Sequence, residues 1–179
     1  MDIIFREATY EDAVGISYVS AQSWLESYSE IIDINYLKER VDKYVERSER
    51  TKKYLDKING KYFVAIHDGK VVGIMTAEKQ SDETYKDYGE IGAIYVLKDY
   101  QGLGIGKNLF KIGFETLKSF GYKKAKLECL EGNKTINFYK KYLGKIDKTF
   151  DYTIKDVGSY KAEIVLFESI DDLLNLMNK

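Results

Sequence analysis

YVLKDYQGLGIGK, residues 95–107, carries an apolar strand end through a short polar turn into a glycine cluster that opens an amphipathic helix. A helix start stripped of side chains leaves backbone N–H groups free and aims them, with the helix dipole behind them, at whatever anion sits there. A phosphate-bearing ligand is the natural occupant. Glycine suits the position because a Cβ would hold such a ligand away from the backbone. The plain alternative is an ordinary glycine-rich turn between a strand and a helix.

Spacing separates the kinds of phosphate site that could be written this way. A P-loop needs Gly-x-x-x-x-Gly-Lys-Ser/Thr, but the first position here is Gln101 and the last is Asn108, which leaves no hydroxyl for magnesium. A dinucleotide-binding turn needs Gly-x-Gly-x-x-Gly directly after its strand. Gly102, Gly104 and Gly106 instead give Gly-x-Gly-x-Gly, with Lys107 at the place of the third glycine and Leu97 to Tyr100 intervening after the strand. Glu128, ending the next strand, could stand for the ribose-binding acid of that fold, so the dinucleotide reading stays open on spacing alone.

Gln101-Gly102-Leu103-Gly104-Ile105-Gly106 resembles the Q/R-x-x-G-x-G/A pyrophosphate loop of the GNAT superfamily, the acyl-CoA-dependent N-acyltransferases. Glu90 to Val96 resembles that family's fourth strand, and Gly132-Asn133-Lys134-Thr135-Ile136-Asn137-Phe138-Tyr139 its N-x-x-x-x-F-Y segment. FREATYEDAVGISYVSAQSWLESY, from Phe5 to Tyr28, is similar to the first strand and helix, so the resemblance spans nearly the whole chain. It implies one N-acetyltransferase domain over residues 1–179, of α/β (α+β) class. The mixed, mostly antiparallel sheet would be flanked by helices and splayed between strands 4 and 5, with the acyl-CoA thioester in the opening.

The resemblance also assigns roles. Acetyl-CoA is the implied cosubstrate, with no metal, and backbone N–H groups from Gly102 to Lys107 would hold its pyrophosphate. Ile94, Tyr95 and Val96 would offer main-chain groups to the pantetheine arm and one N–H to the thioester oxygen, a small oxyanion hole. Tyr139 would protonate the leaving thiolate; Asn133, Asn137 and Phe138 would lie beside the cofactor, although Asn133 is also a natural helix N-cap. A protonated amine must lose a proton before attacking a thioester, so a carboxylate is expected near the splay. Glu90 is the first choice and Glu128 the second. Trp24 and Tyr28, one helical turn apart, would wall the acceptor site, though such pairs are usually core. Two departures stand out: Gln101 replaces the usual arginine, and Lys98 stands where relatives often carry proline. The implied reaction is direct attack of a primary amine, small or a protein N-terminus, on acetyl-CoA in a ternary complex. A non-catalytic acyl-CoA-binding regulatory domain is the rival, and a homodimer through the C-terminal strands is family habit. Glu26, Glu30 and Asp33 would supply an acidic rim suited to a polyamine or aminoglycoside.

Composition agrees and excludes. At 179 residues the chain suits one domain. Its net charge of -1, from 28 basic and 29 acidic residues that are interspersed, gives no reason to expect nucleic acid or an anionic membrane as partner. Apolar runs are far shorter than the roughly 20 residues of a membrane helix, and a basic-then-apolar leader is lacking, so a cytoplasmic protein is expected. Cys129 is the only cysteine and His67 the only histidine. Intrachain disulfides and thiolate metal clusters are thereby excluded, and histidine-based triads poorly served. Cys129 reads as packing rather than a nucleophile, and His67, abutting a hairpin turn, as solvent-facing.

Periodicity fills in the rest. Strands are expected at Ile3 to Arg6, Lys61 to His67, Lys70 to Lys79, Glu90 to Leu97, Lys123 to Leu130, Lys145 to Ile154 and Tyr160 to Phe167. The Asp68-Gly69 turn joins the second and third. Thr9 and Asp12 form a capping-box start for a first helix that buries Ala13, Ile16, Val19 and Trp24. A second helix is expected from Ile34 to Ile58 with Leu37, Val41, Val45 and Leu55 inward, then a loop over Ser81 to Lys86. The post-glycine helix should run to about Phe120, capped by Gly121. Short helices follow at Asn133 to Leu143 and Ile170 to Asn178.

Overall fold

The computed structural model describes residues 2–179. Seven strands form one sheet in the order β1-β2-β3-β4-β5-β7-β6: β1 (Ile4–Glu7), β2 (Gly60–His67), β3 (Lys70–Glu78), β4 (Tyr88–Val96), β5 (Lys124–Leu130), β6 (Lys145–Ile154) and β7 (Gly158–Phe167). Every neighbouring pair is antiparallel except β4 and β5. A parallel pair needs a crossover, and α4 (Ile105–Ser119) supplies it. The mixed, mostly antiparallel sheet matches the expectation from sequence.

Helices cover both faces. Helix α4 lies on one side with α6 (Ile170–Met177), and α1 (Ala13–Tyr28) lies on the other with α2 (Ile34–Asp42) and α3 (Tyr44–Lys57). Leu109, Phe110, Phe114 and Leu117 of α4 are fully buried against Met75, Ile91 and Leu127 of the sheet. Each such side chain contributes roughly 1.5–3 kcal/mol through its burial. Ile16 and Val19 of α1 fill the opposite layer with Val64 and Ile74. The Asp12 carboxylate accepts from Thr9 N–H at 2.8 Å and from both terminal nitrogens of Arg6 at 2.7 and 2.9 Å, which pins the start of α1 beside β1. Burial alone would raise that carboxyl, but Arg6 and the Thr9 N–H outweigh it and hold it below the usual carboxylate range.

Three expectations need correction. The stretch Ile34 to Ile58 is two helices, because Lys43 leaves helical geometry at φ -101° and ψ 19°. Asp33 caps α2 by accepting from Tyr36 N–H at 3.0 Å. The break resets the helical phase, so Ser48 is buried and Val45 is 55% exposed. Within Ser81 to Lys86, Glu83–Tyr85 forms a 3-10 turn that buries Tyr85. His67 is half-buried, edge-on to Tyr100 at 5.7 Å.

Candidate active site

Strands β4 and β5 pair only from Tyr88 opposite Lys124 to Ile91 opposite Leu127, although β4 continues to Val96 and β5 to Leu130. Beyond Ile91 they separate, and a cleft of about 650 Å³ opens between them. Its walls include Ile94 and Val96 of β4, Glu128 and Cys129 of β5, Ser23 and Tyr28 of α1, and Phe138 and Tyr139 of α5 (Ile136–Lys141).

A bulge in β4 opens the cleft. The register with β3 slips between Met75 and Ala77, and Thr76 Oγ1 takes the Ala93 N–H at 2.9 Å in place of a ladder partner. Gly92 allows this, since a Cβ there would fall 2.7 Å from Thr76 Oγ1 and 2.3 Å from Glu78 Oε1. Past the bulge, Leu97 N–H donates to Val72 O at 3.0 Å. Alternation along an antiparallel ladder then turns Tyr95 main-chain groups toward β3, and those of Ile94 and Val96 toward the cleft. The Val96 carbonyl is taken by Gln101 Nε2 at 3.0 Å. Ile94 N–H is therefore a donor aimed into the cleft, whereas Tyr95 takes part through its ring. Its hydroxyl accepts from Trp24 Nε1 at 3.0 Å.

At the mouth, Gly102 and Gly104 hold φ of +77° and +80°, and Gly104 is the N-cap of α4. No side chain caps this helix start, so its N–H groups are available to a ligand. Gln101, Gly102, Gly104, Gly106 and Lys107 all line the cleft, joined by Lys134 and Lys141 from the opposite rim. Leu103 is 52% exposed and Ile105 is in the core, so within this loop those two contribute backbone only.

Tyr139 is 5% exposed, stacked on Phe110 at 5.8 Å, and lines the cleft. Burial pushes its phenol well above the usual value. It stays a neutral O–H donor at any ordinary pH. Burial likewise pushes the Cys129 thiol up to about 12, which makes it a poor nucleophile. Asn133 does two things at once: its Oδ1 accepts from Thr135 N–H at 3.0 Å, and its Nδ2 donates to Tyr28 Oη at 3.0 Å. Phe138 lines the cleft, but Asn137 is exposed outside it.

Trp24 and Tyr28 meet edge-to-face at 5.3 Å. Tyr28 lines the cleft, while Trp24 stands behind it, bonded to Tyr95 and tilted against Tyr152 at 6.5 Å. The acids separate too. Glu128 lines the cleft, whereas Glu90 does not: it sits where β4 and β5 still pair, accepting from Gln80 Nε2 at 3.1 Å and from Lys126 Nζ at 3.3 Å. Lys126 also donates to Glu128 at 2.9 Å, so one buried ammonium bridges both carboxylates. Burial would depress that ammonium, but the hydrogen bond to Glu128 and the charges of Glu90 and Glu128 overcome it and raise it. The acidic rim is partly spent: Glu26 accepts from Lys98 N–H and Gln22, and Asp33 caps α2.

Sequence reading missed Thr76, Ser23, Lys126 and Arg40. Nothing local marks Thr76 or Ser23, because a bulge and a buried hydroxyl without a partner emerge only from register and packing. Lys126 did carry a signal, a lysine on the face of β5 opposite Ala125, Leu127 and Cys129.

Comparison with known proteins agrees with this fold. Residues 22–144 match the Acetyltransferase (GNAT) family. The chain is 32% identical over 145 residues to "Uncharacterized N-acetyltransferase YuaI" of Bacillus subtilis (strain 168), covering 78% of this chain and 79% of that one. Its fold is similar to that of the PaiA N-acetyltransferase of Thermoplasma acidophilum, crystallised in complex with coenzyme A, with TM-score 0.71 at 19% identity over 93% of this chain and 98% of the other. It is also similar to yncA, a putative acetyltransferase of Salmonella typhimurium solved with its cofactor acetyl-CoA, with TM-score 0.65 at 16% identity over 96% and 95%.

Proposed function

The chain belongs to the Acetyltransferase (GNAT) family and is an acetyl-CoA-dependent N-acetyltransferase, and from that premise we propose how its residues divide the reaction. The observation that carries the reading is the parting of β4 from β5 beside an uncapped, glycine-lined helix start. The pyrophosphate lies on the N–H groups of Gly102 to Lys107, and Lys107, Lys134 and Lys141 supply positive charge. The pantetheine arm runs along Ile94 and Val96, and the Ile94 N–H polarises the thioester carbonyl.

A primary amine, entering from the side of α1, attacks the thioester directly. Holding both reactants in line supplies most of the acceleration. Glu128 takes the ammonium proton, and Glu90 acts behind it by fixing Lys126. The tetrahedral intermediate collapses as the C–S bond breaks, and Tyr139 gives its proton to the departing sulfur. Each proton transfer adds roughly 10²- to 10⁴-fold. Asn133 positions Tyr28 beside the cleft. Asn137 is left with a peripheral part.

The 179 residues act as one N-acetyltransferase domain. Among the described residues no helix is long and apolar enough to cross a membrane; a cytoplasmic setting, where acetyl-CoA is made, fits the proposed reaction. Strand β6 is a free sheet edge, which gives a homodimer a surface to form through the C-terminal strands. The test of function is CoA-thiol release from acetyl-CoA against a panel of amines, with thermal stabilisation by acetyl-CoA recorded alongside. Stabilisation with release for one amine class is expected; stabilisation without release from any amine would favour the non-catalytic binding domain.

A further inference from the structure

Arg40, on α2, lies with its guanidinium carbon 4.4 Å over the Trp24 ring, which in turn is bonded to Tyr95. Its Nη1 donates to Tyr36 Oη at 3.3 Å and its Nη2 to Ser20 Oγ at a long 3.5 Å, while its Nε is buried with no partner among the described residues. Among the described residues no carboxylate lies within ion-pair distance of Arg40, Arg47 or Arg50. Glu39, beside Arg40 in sequence, is held by Lys43 at 2.6 Å, and Glu49, beside Arg50, by Lys52 at 2.8 Å. Burial first, then the charges of Arg40 and Arg50, depress the Arg47 guanidinium. Three guanidinium groups thus lie near one another, only partly offset by the charge of Glu39, and a buried, unbonded N–H among them costs stability unless a ligand satisfies it.

Arg50 borders the route to the thioester, and Arg40 reaches it only through Ser20, while Arg40 and Arg47 line a separate hollow with Glu39. A hollow of about 270 Å³ is lined by Ser20, Arg50, Tyr54 and Thr76 and floored by Gly92 and Ala93, the same bulge residues that line the main cleft. Hollow and cleft therefore meet at the bulge. The acids lie on the sheet side of this junction: Glu78 accepts from Tyr54 Oη at 2.5 Å and pairs across the strands with Glu90. The acceptor face is bipolar, with carboxylates at the sheet and unpaired arginines on α2 and α3.

We infer that the acceptor is an amine that also carries a carboxylate a few bonds away, its ammonium end drawn to the sheet acids and its anionic end held by Arg50, with Arg40 behind it through Ser20. Resting on the acetyltransferase reading above, this names the substrate class of the same site. A polycation would meet the unpaired charge of Arg50 on that wall.

The test compares each of the twenty amino acids with its decarboxylated amine, and with spermidine, as acceptors in CoA-thiol release, using the intact protein and the Arg40→Gln and Arg50→Gln variants. Charge-assisted hydrogen bonds to a guanidinium predict that at least one amino acid exceeds its decarboxylated amine roughly 10- to 100-fold in kcat/KM. Each variant should raise KM for that amino acid and leave its amine partner unchanged. Arg50 is exposed, so its replacement reads the charge even if Arg40→Gln loosens the packing on Trp24. Decarboxylated amines or spermidine serving as well as amino acids, with both variants indifferent, would overturn the acceptor class and leave the enzyme standing. Acetyl-CoA stabilisation with no release from any amine would overturn both.

Discussion

Replacing Tyr139 with phenylalanine removes one oxygen and little else. The ring is 5% exposed and stacked on Phe110 at 5.8 Å, and Phe138 and Tyr142 pack around the same Phe110, so the aromatic cluster survives the change. Burial, not a hydrogen bond, sets the hydroxyl's proton affinity, so no partner among the described residues is orphaned. The melting temperature should therefore stay within a few degrees of the parent. Loss of a general acid should lower kcat by roughly 10²- to 10⁴-fold, equivalent to about 3–5 kcal/mol of barrier at 1.36 kcal/mol per decade. Acetyl-CoA affinity should change less than about threefold, about 0.6 kcal/mol, since the cofactor rests on backbone groups. Initial rates of thiol release under saturating acetyl-CoA, paired with calorimetric titration of the cofactor, measure both numbers. Unchanged kcat would remove Tyr139 from proton transfer; a kcat loss matched by an equal loss of cofactor affinity would make it a packing residue.

Four other perturbations separate fold from chemistry. Gly104→Ala should cost roughly 1–2 kcal/mol of stability through its left-handed φ of +80°. Gly106→Ala, whose Cβ meets only Val96 at 3.8 Å, should be neutral or stabilising by about 0.5–1 kcal/mol and should keep cofactor binding, as denaturant titrations and calorimetry would show. Asp12→Asn should cost about 1–2 kcal/mol at neutral pH, a figure reduced because Arg6 is 41% exposed. The Asp12 carboxyl is held below its unfolded value near 3.8, so its contribution is complete above that pH and fades as pH falls through the lower folded value; parent and variant stabilities should converge in acid. Glu128→Gln should lower kcat/KM about 10²-fold near pH 7, and the deficit should shrink as pH approaches the amine's own pKa, because the acceptor then arrives deprotonated. A deficit constant with pH would point to positioning.

Backbone chemistry made the cofactor end readable in the sequence. Glycines at 102, 104 and 106 announce an uncapped helix start, and Phe138-Tyr139 announce the partner helix, because the constraints there are local. Alternation likewise exposed the strands, and Thr9 with Asp12 the 3-10 turn Tyr10–Asp12 that leads into α1. The acceptor end was opaque because it is made by register and packing. Glu90 and Glu128 both end up near the splay, and only the last paired residues, Ile91 and Leu127, separate the acid inside the cleft from the one outside it. Lys43 breaks a helix without proline or glycine, and that break gives Arg40 and Arg47 to separate helices that converge on one patch. No interval in the sequence encodes such convergence.

Direct transfer within a ternary complex is tested most squarely by initial-velocity kinetics of CoA release, varying acetyl-CoA at several fixed concentrations of a productive amine. Intersecting reciprocal lines, with the N-acetylated amine and CoA formed in equal amounts, are predicted, since the buried Cys129 thiol, pushed up to about 12, is unfit to carry the acetyl group. Parallel lines, with an acetylated protein isolated when the amine is withheld, would contradict the account.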